Sequence, residues 1–496
     1  MKLSQLLAGV SVLEAPPADP EVTGICYDSR RLRPGDLFVA IPGTHTDGHR
    51  YVDVALRDGA AAALVVRPRG TAWPQVVVAD TRKALAQVSA TFFGHPSRDL
   101  RVVGVTGTDG KTTTTILIHQ MLLAAGRAAG AMNTVDLRTG ARVDPNDSRQ
   151  TTLEAPEIQQ QLKQFREAGV RDAVIETSSH GLALDRVLGV EYDVAVFTNI
   201  AHEHLDFHLT PEAYRDAKAR LIDLTAAAAD KGVPKTAVLN RDDPSYPYLL
   251  KHPIAHRLSY GVQLEADLKA TSVEPGAGGL RLEATTPLGP LHLDLKLTGR
   301  WNAYNALAAA AGGIALGLNL DQIKTGLERV TGVPGRMERV DLGQPFTVII
   351  DYAHTPQSLE KVLRELRPLT SGQLIAVFGS AGERDVEKRA WMGEIAARLS
   401  DYAVFTNEDP RDEDPQAILD QIAAGAHAVG WREGTDYRCV VDRQAGINQA
   451  VARAQKGDTI LLAGKGHERS ILIGRDKQPW DERAAAETAI KATLLV

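Results

Sequence analysis

Lys111 and Thr112 close a run, Arg101-Val-Val-Gly-Val-Thr-Gly-Thr-Asp-Gly-Lys-Thr-Thr-Thr-Thr115, whose residue types suit the grip of a polyphosphate. Val102, Val103 and Val105 read as a short buried strand, and Gly107 and Gly110 break it. Ile116, Leu117, Met121 and Leu122 then recur at helical spacing. Strand, glycine turn and helix bring free backbone N–H groups and the positive end of a helix to one spot. There the Lys111 ammonium reaches outer phosphates and the Thr112 hydroxyl ligates Mg²⁺. The usual pattern has glycine six residues before the lysine, where this chain has Val105, so only its second half is present. The run reads as an ATP site, with contacts from Thr106, Gly107, Thr108, Asp109, Gly110, Lys111, Thr112 and Thr113.

Further polar clusters follow. Glu176 heads Glu-Thr-Ser-Ser-His-Gly181 after an apolar stretch, a position that suits either a Mg²⁺-holding carboxylate or a capping acid. Asn199-Ile-Ala-His-Glu-His-Leu-Asp-Phe-His208 packs histidines 202, 204 and 208 with two acids. A zinc helix needs histidines at i and i+4 with a glutamate after the first, a pattern this run does not match, so a Mg²⁺ site using one imidazole is preferred over a purely structural cluster. Lys218, on the helix that follows, reads on its own as an ordinary solvated lysine. Nearer the C-terminus, four polar loops begin at Asp351-Tyr-Ala-His354, Glu383-Arg-Asp-Val-Glu-Lys-Arg389, Thr406-Asn-Glu-Asp-Pro-Arg411 and Gly464-Lys-Gly-His-Glu468. Together they suggest a rim for a zwitterion, with arginine for a carboxylate and an acid for an amine.

The elements that must position these groups alternate. Short strands and helices run from 1 to 98, with strands at Asp36–Ile41, Ala62–Val66 and Gln75–Val78. The loop Tyr27-Asp-Ser-Arg30 precedes them, as turn chemistry or as part of a site. From 99 to 332 the alternation is that of a parallel sheet, with strands at Ala173–Ile175, Val194–Thr198 and Thr236–Leu239. Their polar tips at Glu176, Thr198-Asn199 and Asn240–Asp243 should converge on the nucleotide, since such sheets bind beyond their carboxyl ends. Residues 262–297 alternate like an antiparallel hairpin set, and an alanine-rich helix runs from Asn302 to Ala315. Gly332-Val-Pro-Gly-Arg336 reads as a linker. From 333 to 496 strands recur at Phe346–Ile350, Leu374–Phe378, Tyr402–Phe405 and Thr459–Leu462, a second open α/β unit.

Composition narrows the function. At 496 residues the chain exceeds a single core. Its 44% hydrophobic and 24% charged residues are globular values, and a net charge of −6 offers no basic field for nucleic acid. Two distant cysteines, Cys26 and Cys439, fit a reducing cytosol and argue against zinc. No apolar run suffices to span a bilayer. Leu3, Leu6, Leu7 and Val10 mark an amphipathic first helix rather than a signal peptide.

With these motifs in order, the chain resembles the Mur ligase family, most of all its members that add the third amino acid of the peptidoglycan precursor. The resemblance is carried by Asp28-Ser-Arg30 with Pro34-Gly-Asp-Leu-Phe38, Thr106–Thr112, Thr151-Thr152 ahead of Ala155-Pro-Glu157, and Glu176–Leu182. It continues through His204-Leu-Asp-Phe-His208, Asn302 with Asn305, Gly335-Arg-Met-Glu338, Asp351–Pro356 and Gly464–Glu468. It implies three α/β domains: an N-terminal UDP-binding domain, a central P-loop parallel-sheet ATPase domain and a C-terminal Rossmann-like domain. It implies that Tyr27, Ser29, Thr151, Thr152, Ser178 and Arg186 hold UDP-MurNAc-L-Ala-D-Glu. Glu176 and His204 match Mg²⁺ ligands beside Thr112. Lys218 matches a carbamylated lysine that binds a second Mg²⁺, which overturns its solvated reading. Asn305, Arg336 and Asp351 match nucleotide positions. Arg389, Glu408, Asp409, Pro410, Arg411, Gly464 and Glu468 match the pocket for the incoming diamino acid. Lys111, Lys218, His204 and Glu176 are the catalytic candidates, in a cytoplasmic, monomeric enzyme.

Four residues at three places depart from the family pattern. Asp109 stands for the usual Asn in the phosphate loop, Glu203 for Asp, and Glu408-Asp409 for Asp-Asn. Arg411 and Glu468 favour meso-diaminopimelate, whereas a carboxylate at 409 favours a plain ammonium, as in L-lysine or L-ornithine. The alternatives are a folylpolyglutamate synthase-like ligase, which shares the ATPase plan, and a nucleotide-dependent switch protein that makes no amide.

Overall fold

The computed structural model describes the chain except residues 44–45, 69–73, 149, 202, 277 and 495–496. Its contacts group into two compact units, residues 1–270 with 284–291 and 304–327, and residues 271–283 with 292–303 and 328–496.

The first unit holds an N-terminal sheet and most of a central one. In the N-terminal sheet Gly24–Cys26, Asp36–Val39, Ala62–Val65 and Gln75–Val78 run parallel, and Val12–Glu14 closes an edge antiparallel to the last. The expected first helix is a single turn, Leu3–Leu6, whose buried leucines join this core. Helix Thr81–Phe92 covers the sheet and packs on helix Ala155–Glu167 of the central region, and Ala155 lies in the N-terminal core.

In the central sheet the strand Arg101–Thr106 lies between Asp172–Glu176 and Val194–Phe197, all parallel. Ala129–Met132 and Thr236–Asn240 flank these, also parallel. Every carboxyl end therefore opens on one edge, as the alternation predicts. The inner strands are buried along nearly their whole length, which is why they read as unbroken Val/Ala/Ile runs. Sequence patterning does not reveal Ala129–Met132, whose glycine and alanines carry little strand signal, nor the antiparallel pair Asp136–Thr139 and Arg142–Pro145 beside it. Residues 262–297 supply three strands, Leu268–Gly276, Gly279–Thr286 and Gly289–Leu295. The alanine-rich helix spans Trp301–Ala315.

In the second unit Thr347–Asp351, Thr459–Ala463, Leu374–Phe378, Tyr402–Thr406 and Tyr437–Val440 lie in that spatial order, all parallel. Glu338–Val340 adds an antiparallel edge. The stretch read as a linker is a built turn: Val333 bridges Arg336, Gly335 N–H donates to Glu338, and its carbonyl accepts Tyr352 N–H. A two-stranded hairpin, Ser470–Ile473 with Asp476–Pro479, was not evident from the sequence.

Candidate functional site

The phosphate loop leaves the central strand at Thr106 and enters helix Lys111–Ala124 at Gly110. Both its glycines are required. Gly107 has φ +150° and Gly110 φ +80°, and a Cβ would stand 1.8 Å from Thr198 Oγ1 at the first and 2.2 Å from Asn305 Oδ1 at the second. The tip of strand Val194–Phe197 laces the loop: Asn199 Oδ1 accepts Asp109 N–H (2.9 Å), and the Thr198 hydroxyl donates to the Asp109 carbonyl (2.6 Å). Lys111 Nζ donates to the Thr108 carbonyl at 2.7 Å, and the Thr108 hydroxyl is 2.9 Å from Tyr214 Oη.

Glu176 and Thr112 meet as the strand order requires. The Thr112 hydroxyl lies 2.9 and 3.1 Å from the two carboxylate oxygens, and Thr134 N–H donates to one of them. A buried carboxylate beside a hydroxyl at the first turn of the loop helix is a hard oxygen donor set that fits Mg²⁺. The capping reading of Glu176 is set aside, since its partners come from other elements.

Lys218 is not solvated. It is 1% exposed and its Nζ donates to the Gly107 carbonyl at 2.6 Å. Burial, with Lys111 nearby, drives its ammonium well below the usual lysine value. Tyr214, one turn earlier on the same helix, places its ring 4.5 Å from Nζ. A lowered pKa favours the neutral amine, which is the form that adds CO₂, so the buried position suits a carbamate.

These groups border a cavity of about 240 Å³. Of the predicted residues, Lys111, Thr151, Ser178, Arg186, His204 and Lys218 line it. Thr152 lies just beneath, its hydroxyl donating to the Glu176 carbonyl and accepting Ser178 N–H. Gln150, Ser179, His180, Glu203 and Tyr214 also line the cavity and were not expected there. The i, i+4 spacing of Tyr214 and Lys218 carried that signal for Tyr214.

Arg186 is aimed by Glu154 (2.8 Å) and the Thr152 carbonyl (2.9 Å). His204 holds a left-handed backbone (φ 55°) and its Nε2 is 3.7 Å from Glu203. Burial lowers its pKa, partly offset by Glu203. His180 stacks edge-on to His204 at 4.7 Å between ring centroids, and burial pushes it down to about 4. His202 lies outside the described residues. Among those described, no three or more His, Cys, Asp or Glu are arranged to hold a metal.

Tyr27 and Ser29 are not among the residues lining this cavity. Tyr27 Oη donates to Glu157 at 2.7 Å, linking the N-terminal sheet region to helix Ala155–Glu167, and Ser29 sits in a short 3₁₀ turn capped by Asp28.

The remaining candidates lie in the second unit. Asp351 accepts the N–H groups of Met337 and Ala353, and the Arg336 guanidinium lies 4.8 Å from the Tyr352 ring centre. Arg389 is fully buried, its guanidinium taken by both oxygens of Glu413 and by Gln421. Asp409 is paired with Lys465. In the same loop, across Pro410, Arg411 Nε and Glu408 Oε2 are buried without hydrogen-bond partners, one donor and one acceptor, as a zwitterion needs.

Comparison with known proteins agrees along the whole chain. Family models described as "Mur ligase family, catalytic domain", "Mur ligase middle domain" and "Mur ligase, glutamate ligase domain" match residues 21–93, 105–313 and 335–466. A UDP-N-acetylmuramyl-tripeptide synthetase of Roseiflexus sp. is 51% identical, with 96% of each chain covered. A UDP-N-acetylmuramoyl-L-alanyl-D-glutamate–2,6-diaminopimelate ligase of Bacillus velezensis is 42% identical over 99% of each. A solved structure carrying that ligase name superposes with a TM-score of 0.68 at 29% identity, covering 95% of each chain.

Proposed function

The chain belongs to the Mur ligase family, and from that premise we propose that it uses ATP to join a diamino acid to the D-glutamyl γ-carboxylate of UDP-MurNAc-L-Ala-D-Glu, in peptidoglycan precursor synthesis. The observation that carries this reading is the convergence of Lys111, Lys218, Ser178 and Arg186 on one cavity beside the phosphate loop. We assign residues 1–98 to UDP binding, 99–332 to ATP and 333–496 to the amino acid.

A carboxylate is a poor electrophile, so the γ-phosphoryl of ATP is first transferred to it, giving an acyl phosphate with a good leaving group. Lys111 neutralises charge on the transferring phosphoryl, and the loop N–H groups hold its neighbours in line. Arg186 and Ser178 orient the dipeptide carboxylate. The α-amine of the diamino acid then attacks the acyl carbon, and phosphate departs as the amide forms. Thr112 and Glu176 would hold one Mg²⁺, and His204 with Lys218 as its carbamate a second; when bound, such ions neutralise phosphate charge. Asn305 stands beside Gly110 at the loop and is assigned to the nucleotide; Arg336 and Asp351, in the second unit, are assigned to it on the family resemblance alone.

The diamino acid is meso-diaminopimelate on the strength of Arg411 and Glu468, with L-lysine and L-ornithine as competitors. Asp409 is paired with Lys465, so its charge bears on the bound amino acid through that lysine. Tyr27, Ser29, Thr151 and Thr152 contribute to the UDP-sugar peptide site. No described helix is long and apolar enough to cross a membrane, in keeping with work on cytoplasmic precursors. We expect a monomer, which sedimentation tests.

The deciding experiment incubates the protein with ATP, UDP-MurNAc-L-Ala-D-Glu and an equimolar mixture of the three diamino acids. Mass spectrometry should find one tripeptide dominant. Absence of any amide product, with ATP bound, would favour the switch-protein reading, and ligation of glutamate to folate the folylpolyglutamate one. Relatives that match from end to end speak against both.

A further inference from the structure

The loops that follow Thr406 and Ala463 carry Glu408, Asp409 and Arg411 on one side and Gly464 and Glu468 on the other. They leave strands that are not neighbours, because Leu374–Phe378 runs between them. That shared strand spaces the strands, and Arg411 bridges Ile473 just beyond the second loop. Two fully buried cations tie the loops themselves together. The Arg443 guanidinium donates to the Asn407 carbonyl (2.8 Å) and the Ala463 carbonyl (2.9 Å) at the loop roots. Above it, Lys465 Nζ reaches Asp409 Oδ1 at 3.0 Å and Glu468 Oε2 at 2.6 Å.

The two carboxylates around Lys465 differ in exposure. Asp409 is 8% exposed and also accepts Leu472 N–H, whereas Glu468 is 24% exposed. One positive charge against two negative ones leaves a single net negative charge. Lys465 is shared by both carboxylates, so the excess negative charge faces outward on the Glu468 side, the more exposed one, where an ammonium can meet it. With an amide at 409, Lys465 would neutralise Glu468 alone.

We propose that Lys465 is a positioning residue through which Asp409 sets the net charge around Glu468, and thereby the balance between diamino acids ending in an ammonium alone and those ending in an ammonium and a carboxylate. This rests on the reading of the second unit as the amino-acid-accepting part.

A charge cycle tests it, read as the ratio of kcat/KM for lysine to that for diaminopimelate. Asp409→Asn brings the cluster to zero and lowers the ratio roughly tenfold, the scale of one charge-assisted contact. Lys465→Met leaves two carboxylates uncompensated and raises it by a similar factor. The double variant restores one net negative charge and returns the ratio to within about threefold of wild type. Positional isotope exchange of ATP with the UDP-dipeptide, which needs no amino acid, reports whether each variant is folded. If Lys465→Met does not fold, Lys465→Gln, which removes the charge and keeps a hydrogen-bond donor, takes its place in the cycle. Single variants that move the ratio in the same direction or not at all, or a double variant that does not return, overturn the inference. A wild-type protein that forms no tripeptide overturns the functional reading instead.

Discussion

Lys218 reaches from the middle of helix Pro211–Ala227 to the phosphate loop, where its Nζ lies 2.6 Å from the carbonyl oxygen of Gly107. Lys218 lines the cavity and is only 1% exposed. An ammonium there is disfavoured by burial and by Lys111.

The Lys218 amine therefore has a pH signature. The unfolded chain protonates it up to about pH 10.4, while the folded chain releases that proton at lower pH, so the unfolded state binds more protons across the window between. In CO₂-free buffer, wild type gains stability relative to Lys218→Met as pH rises towards the ordinary lysine value of about 10.4. Urea denaturation at several pH values measures this, and an opposite slope would mean a charged amine in the pocket. Lys218→Ala should lose ligation by roughly a hundredfold or more. Full activity without added bicarbonate would rule out the carbamate.

Lys111→Ala removes the cation aimed at the transferring phosphoryl. Ligation is expected to fall by roughly a thousandfold, the scale of a lost phosphate-binding cation, with UDP-dipeptide affinity retained. Steady-state assays beside calorimetric titration of the UDP-dipeptide separate the two effects. A normal rate would remove the basis of the mechanism.

Arg443 and Glu482 form a bidentate pair with both side chains fully buried, and Trp480 Nε1 donates to the same carboxylate. Glu482→Ala should cost about 3–5 kcal/mol by leaving the guanidinium unpaired. The double variant Arg443→Met with Glu482→Leu should recover much of that stability. Thermal unfolding reads both.

Glu413 is held down to about 2, first by its hydrogen bonds from Arg389 and then by the N–H of Glu383. Its depressed pKa stabilises the fold fully above the ordinary carboxylate range, and that contribution disappears as pH falls from about 4.5 towards about 2. Glu413→Gln should flatten the acid limb of the wild-type stability curve, while costing stability at neutral pH. An unchanged acid limb would mean that the pair is not formed in solution.

Much of this protein was determined by its sequence alone. Glycines 107 and 110 before Lys111-Thr112 mark the phosphate loop because only glycine meets the backbone angles and close contacts there. The strand tips at Glu176 and Thr198-Asn199 follow from parallel alternation, since parallel strands must end together. Side-chain environment was decided only by the tertiary structure. Whether Lys218 is solvated, whether Arg389 is committed to Glu413, and whether Asp409 is shared with Lys465 depend on residues 24 to 111 positions away in the chain. A charge costs little in water and a great deal when enclosed, and packing alone determines which of the two each residue meets.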